Sequence, residues 1–77
     1  MKTISISDLN LASALLYLGF PIQSLDHSDP QRIVFHFLNE SPIVEAIEAF
    51  HRGDISVEVK RYFACIKEVK NRIYSRV

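Results

Sequence analysis

The sequence predicts a small α+β domain in which a three-stranded sheet is packed against helices, with the elements in the order β-α-β-β-α-α. Two segments, residues 3–6 and 32–38, alternate side chains in the two-residue period of strands. Three longer segments repeat apolar residues at helical spacing, and the last of them is long and amphipathic. With 77 residues, 48% of them hydrophobic and only two glycines, the chain is expected to form one ordered domain spanning residues 1–77.

The first strand is predicted at Thr3–Ile6, where both isoleucines face the core. Ser7 and Asp8 then supply an N-cap for the first helix. That helix ends at Gly19, because glycine adopts the left-handed backbone without a Cβ penalty, and Pro21 prevents its continuation. The helix is apolar over more than half of its girth, so we expect it to lie buried between the sheet and another helix.

The second strand is predicted at Ile22–Leu25 and is joined to the third by a polar loop, Asp26–Gln31, made of residues that favour turns. The third strand, Arg32–Leu38, is apolar on both faces and is therefore expected at the centre of the sheet. His36 lies on the face opposite the two phenylalanines of that strand. We expect it to be half-buried with a hydrogen-bond partner.

The second helix is predicted to begin with Ser41 as its N-cap and Pro42 at its first position, and to end before Gly53. Asp54 and Ser56 are the candidate caps of the final helix.

The final helix is predicted within Ser56–Val77, a stretch without glycine or proline. Six of its apolar residues fall on one side of a helical cylinder. They are Val59, Tyr62, Phe63, Ile66, Val69 and Ile73.

The sheet order follows from handedness. A right-handed crossover through the first helix makes the first two strands parallel, and the third strand then fills the gap between them, antiparallel to both. The predicted order is 1-3-2, which is half of a ferredoxin-like fold followed by a helical hairpin.

Three stretches carry a family resemblance: SDLNLASALLYLGF at residues 7–20, FHRG at 50–53 and KEVKNRIY at 67–74. They resemble the D-L-x-L-A-x-x-L-x-x-x-G-[FY] helix, the aromatic-x-x-Gly break and the K-x-[LV]-K-x-x-[IL]-Y ending of an uncharacterised family of short bacterial and phage proteins, a domain of unknown function. The resemblance covers nearly the whole chain. It implies a shared fold and a phage or mobile-element setting, and it assigns no activity and no catalytic residue.

Charge is divided unevenly along the chain although the formal net charge is zero. Residues 1–57 carry three basic and seven acidic side chains, and residues 58–77 carry six basic and two acidic ones. A basic segment of this kind complements the dipole of a helix or meets an acidic partner, nucleic acid included.

Several classes of function are disfavoured. The single cysteine, Cys65, cannot form an internal disulfide, and the three histidines lack the spacing of metal ligands. No nucleophile motif or phosphate-binding glycine loop occurs, so we expect no enzyme activity, no metal and no cofactor. Neither a signal peptide nor an apolar run of about 20 residues is present, which predicts a cytoplasmic protein without membrane insertion.

Two functions stay open. The first is a protein-interaction module, with an unknown protein partner or with itself as a homo-oligomer, and it self-associates through a sheet edge or through a heptad seam on the final helix. The residues of that seam are Val59, Tyr62, Ile66, Val69 and Ile73. The alternative is an accessory nucleic-acid-binding protein that uses the basic face of the same helix. The residues of that face are Lys60, Lys67, Lys70, Asn71 and Tyr74.

Overall fold

The computed structural model describes residues 2–29 and 31–74, and its six elements follow the predicted order. They are β1 (Thr3–Ile6), α1 (Leu9–Tyr17), β2 (Ile22–Asp29), β3 (Arg32–Leu38), α2 (Ser41–Arg52) and α3 (Val59–Tyr74). The predicted α+β class is therefore confirmed. Residues 75–77, which the sequence assigns to the final helix, and Pro30 of the predicted loop lie outside the described residues.

The sheet has the predicted order β1-β3-β2, and β3 pairs antiparallel with both neighbours. Phe35 and Phe37 of β3 point towards the helices and are fully buried. His36 lies on the opposite face, half-buried, and its Nδ1 is 3.2 Å from the hydroxyl of Ser5 on β1. The expectation of a half-buried histidine with a hydrogen-bond partner is confirmed.

The end of β2 differs from the prediction. The strand continues beyond Leu25 to Asp29, so most of the segment assigned to the loop belongs to the ladder. Asp26 pairs with Val34 and Asp29 with Arg32, with an irregular register between these pairs. Polar, turn-favouring residues are tolerated here because β2 is an edge strand whose pairing with β3 outweighs its weak intrinsic preference.

The two ends of α1 follow the prediction. The carboxylate of Asp8 accepts hydrogen bonds from the backbone amides of Asn10 at 2.8 Å and Leu11 at 3.3 Å. Gly19 adopts a φ of 100°, and the next amide donates to the carbonyl of Leu15 at 3.0 Å. Capping at one end and a left-handed glycine at the other satisfy backbone groups that a helix leaves unpaired.

The predicted N-cap of α2 is wrong. Ser41 is already helical, and Glu40 precedes the helix in an extended conformation without a side-chain hydrogen bond to the first turn. Pro42 occupies the first turn, and Gly53, with a φ of 79°, ends the helix as predicted.

The predicted caps of α3, Asp54 and Ser56, are also wrong, because the helix begins later in the chain. The carboxylate of Glu58 accepts from the amides of Lys60 and Arg61, each at 3.0 Å. Glu58 therefore performs the capping that the sequence assigned to shorter polar side chains.

The core is centred on α1, whose residues 11–15 are all buried. Five consecutive buried residues span every side of a helix, so α1 is enclosed, with α3 packed along it and α2 also in contact. This confirms the expected burial of the first helix. The buried apolar cluster consists of Ile6, Leu11, Ala12, Leu15, Ile22, Phe35, Phe37, Ile43 and Val69.

Candidate interaction surface on α3

One side of α3 faces outward and carries all five residues predicted to bind nucleic acid. We call it the α3 strip, and every member is exposed: Val59, Lys60, Phe63, Lys67, Lys70, Asn71 and Tyr74. At 3.6 residues per turn, these seven positions fall within an arc of about 120°. No acidic residue of α3 lies in that arc, because Glu68 falls about 60° beyond its edge, next to Asn71 on the helix surface.

The strip contains two large exposed aromatic rings. Phe63 is 59% exposed and Tyr74 is 80% exposed. They are eleven positions apart, so their Cα atoms are separated by about 16 Å along the helix axis at 1.5 Å per residue. The sequence placed Phe63 in the core-facing stripe, and its exposure is the main feature of this surface that sequence reasoning missed.

The lysines and arginines of α3 have different environments. Within the described part of the chain, Lys60, Lys67 and Lys70 form no ion pair. In contrast, the guanidinium of Arg61 lies 5.2 Å from the centroid of the Tyr17 ring, and Arg72 forms a 3.2 Å ion pair with Glu68. The arginines are engaged with the protein itself, whereas the lysines of the strip face solvent.

The predicted heptad seam packs largely within its own chain. Val69 is fully buried in the core cluster, and Tyr62, Ile66 and Ile73 are half-buried. Only Val59, at 59% exposure, points mainly into solvent. Val69 belongs to the intramolecular core and Ile73 packs against it, while Tyr62 contacts α1.

Contacts with α1 hold the first half of α3 in place. The hydroxyl of Tyr62 donates to the carbonyl of Asn10 at 3.0 Å, and the hydroxyl of Tyr17 accepts from the amide of Glu58 at 3.0 Å. The two tyrosine rings meet edge to face, with centroids 6.4 Å apart. Burial raises the pKa of the Tyr62 phenol, so this hydroxyl stays protonated and keeps donating.

The last turn of α3 is held by the sheet. The Nε2 atom of His27 on β2 lies 3.3 Å from the carbonyl oxygen of Ile73. This bond joins β2 to α3 between residues 46 positions apart in the chain. Held at both ends, α3 presents the strip as a fixed surface.

A groove opens beside this last turn, between α3 and the end of the sheet, with a volume of about 510 Å³. Its polar lining includes Ser7, His27 and Arg32, and Tyr74 stands at its border with the α3 strip. A second groove, of about 310 Å³, separates α3 from the end of α2.

The described residues offer little for metal or nucleophilic chemistry. In residues 2–29 and 31–74 no three histidine, cysteine, aspartate or glutamate side chains are grouped to hold a metal ion. Cys65 is a half-buried free thiol in the middle of α3. Across the same ranges, the helices all fall short of the length and apolarity needed to traverse a bilayer.

Comparison with known proteins gives one match. A family model described as "Domain of unknown function (DUF5659)" matches residues 1–75. No curated protein and no solved structure matches the chain. The predicted membership of an uncharacterised family is confirmed, while the bacterial or phage setting stays a prediction. Because the match extends over nearly the whole chain, this protein belongs to the DUF5659 family.

Proposed function

We propose that this protein is a non-enzymatic, cytoplasmic accessory protein that binds nucleic acid through the α3 strip. One observation carries the proposal: three lysines without ion pairs in the described chain share an acid-free helix face with two exposed aromatic rings. Lysines neutralise backbone phosphates, and aromatic rings stack on bases.

The aromatic rings favour a single strand over a duplex. Bases in a duplex are stacked on one another, whereas a single strand leaves them free to stack on protein side chains. Phe63 and Tyr74 are separated by about 16 Å, with Lys67 and Lys70 between them along the helix. Such a spacing suits an extended strand that places bases on both rings and phosphates on the lysines.

Burial of the predicted seam favours nucleic-acid binding over self-association through that seam. A heptad seam needs its a and d residues at the surface, and Val69 is fully buried. Apart from Val59 and Asn71, the strip that α3 exposes consists of lysines and aromatic rings. The formal net charge of zero is compatible with binding because eight of the nine acidic side chains precede α3, including Glu45 and Glu48 of α2, and Glu68 of α3 lies outside the strip.

The test is fluorescence anisotropy with a short mixed-sequence oligonucleotide, single-stranded and duplex, as salt is raised from about 50 to about 200 mM. Three phosphate contacts predict a slope of log K against log salt of about −2 for a single strand. Replacing Lys60, Lys67 and Lys70 together by Glu should weaken binding at least about tenfold at the lower salt.

The matched control carries charge reversals away from the strip, Lys2→Glu with Arg52→Glu. It should retain most of the binding, because neither residue belongs to α3. Phe63→Ala and Tyr74→Ala should each weaken single-strand binding by about 1–3 kcal/mol if both rings stack on bases. The proposal fails if no oligonucleotide binds at the lower salt, or if the control loses as much affinity as the lysine variant.

Self-association is a second candidate, supported by a different observation. Val59 and Phe63 form an exposed apolar pair on α3, and Val44 is 41% exposed on α2 near the carboxylates of Glu45 and Glu48. In a two-fold symmetric dimer, the α3 strip of one protomer would meet this acidic face of its partner, twice over.

Light scattering at low and high salt tests this second candidate. A dimer built on these faces has twice the 8.9 kDa mass of the chain, and Phe63→Asp or Val44→Asp converts it to a monomer that stays folded. Ile66→Asp serves as a comparison, because Ile66 is half-buried and its replacement is expected to destabilise the fold itself. A monomeric mass for the unmodified protein at every salt concentration contradicts the candidate.

A further inference from the structure

We propose that the groove between α3 and the end of the sheet binds a small organic carboxylate with an apolar body. The groove measures about 510 Å³, within the range of about 300–1,000 Å³ found for small-molecule sites. Its walls come from several elements: the β1–α1 connection, β2, β3 and the last turn of α3. Sites assembled from the ends of rigid elements are positioned more accurately than sites on a single loop.

The charge of the lining selects an anion. Arg32 lines the groove, and within the described residues it forms no ion pair. Among the lining residues that the structure describes there is no carboxylate side chain. The acids nearest to the lining residues in the sequence already accept hydrogen bonds. Asp8 caps α1, Asp26 accepts from the amide and hydroxyl of Ser28, and Asp29 accepts from the amide of Gln31 at 2.9 Å. A guanidinium without an acidic partner is suited to bind a carboxylate through two parallel hydrogen bonds.

Arg32 is oriented by a hydrogen bond to the other wall. Its Nη2 atom donates to the hydroxyl of Ser7 at 3.3 Å. An arginine side chain has five N–H donors, so this bond leaves the others available for a ligand. On the far side, the bond between His27 and the carbonyl of Ile73 joins β2 to α3 and so fixes the position of these two walls relative to each other.

The apolar lining of the groove favours a ligand with an apolar body attached to its carboxylate. It is formed by the apolar side chains of Leu9, Ile33, Phe35 and Ile73. Leu9, Ile33 and Ile73 are half-buried and supply the surface that a ligand can cover, and all three pack against the core that contains Phe35. An inorganic anion would leave the apolar lining in contact with water, whereas an acid with a phenyl or branched aliphatic group would cover it.

This site is separate from the function proposed above. Its cation is Arg32 of β3, while the nucleic-acid surface uses the lysines of α3. Tyr74 borders both surfaces and is therefore left unchanged in the test.

The experiment is an amide-resolved NMR titration of the full chain with phenylbutyrate and with its neutral analogue phenylbutyramide. We expect saturable shifts for phenylbutyrate, concentrated at residues lining the groove, and binding of the amide at least about tenfold weaker because it lacks the charge. Arg32→Gln should weaken phenylbutyrate binding at least about tenfold, and His27→Gln should weaken it less. Arg52→Gln, an exposed arginine outside the groove, should have no effect.

Three results would overturn the proposal. The first is the absence of saturation up to about 20 mM phenylbutyrate, which corresponds to affinity below that of a weak specific site. The second is equal binding of the acid and the amide, or equal binding by the Arg32→Gln and Arg52→Gln variants. The third is acetate binding as tightly as phenylbutyrate, which would show an anion contact without an apolar pocket.

Discussion

Helices α1 and α3 both pack on the core, yet they differ in how much of their surface they bury. Between Leu9 and Tyr17 the sequence of α1 has no charged residue, and residues 11–15 are buried on every side. Six charged residues occur in α3, and Val69 is its one fully buried position among the described residues. The burial of an apolar helix follows from its composition. In an amphipathic helix, the residues at the edges of the apolar stripe are covered or exposed according to the elements packed beside them.

The candidate interaction surface includes one edge of the apolar stripe of α3. Phe63 and Ile66 belong to the same apolar stripe in the sequence, but Ile66 is half-buried and Phe63 is 59% exposed. Helical spacing cannot separate them, because they are neighbours on the cylinder. Only the direction from which α1 approaches decides which of them is covered.

The largest loss of stability is expected from truncating a side chain of the enclosed helix α1. Leu15 of α1 is fully buried, and Leu15→Ala should lower the free energy of unfolding by about 2–5 kcal/mol through lost burial and a residual cavity. The matched truncation on α3, Phe63→Ala, should change it by less than about 0.5 kcal/mol. Urea denaturation measures both. A large loss for Phe63→Ala would mean that this ring is covered in solution by another surface.

A smaller effect concerns the helix starts. Asp8→Ala should cost about 1 kcal/mol, because it removes a carboxylate that accepts from two amides of α1. Ser41→Ala is the control at the start of α2 and should be neutral, since Ser41 forms no capping bond. Glu58→Ala should fall between the two, because its carboxylate caps an exposed first turn of α3. Equal losses for Asp8→Ala and Ser41→Ala would contradict the assigned caps.

The alkaline pH dependence of stability tests the contact between α1 and α3 at Tyr62. Burial raises the pKa of Tyr62 above its ordinary value of 10.0, so the folded state favours the neutral phenol. Its contribution to stability is fully present below pH 10.0 and is lost as pH rises from there through the raised pKa. Tyr62→Phe should remove this part of the alkaline loss, and it should cost about 1 kcal/mol at neutral pH through the bond to Asn10.

Urea midpoints at about pH 9 and about pH 11 measure the difference. Tyr74→Phe is the matched control, because the Tyr74 side chain is 80% exposed, and it should decline with pH as the unmodified protein does. An identical alkaline decline in Tyr62→Phe and the unmodified protein would contradict the buried environment of this phenol.

Most of the fold was predictable because its signals are local. The cap at Asp8, the left-handed glycines 19 and 53, and the alternation in β3 each depend on a few adjacent residues. The order of the sheet followed from the handedness of crossovers, which is nearly invariant. The end of β2 was not predictable, because local turn chemistry and long-range pairing with β3 favour different conformations there and pairing prevails.

Period, composition and charge are properties of single segments, so the six elements, the burial of α1 and the basic character of α3 can be predicted from the sequence. Which part of the α3 stripe is core depends on the packing of α1, which leaves Val69 buried and Phe63 exposed. The tertiary structure also decides the groove beside Arg32, which arises from residues far apart in the chain. Such juxtapositions depend on how helices and sheet meet, and no single segment contains that information.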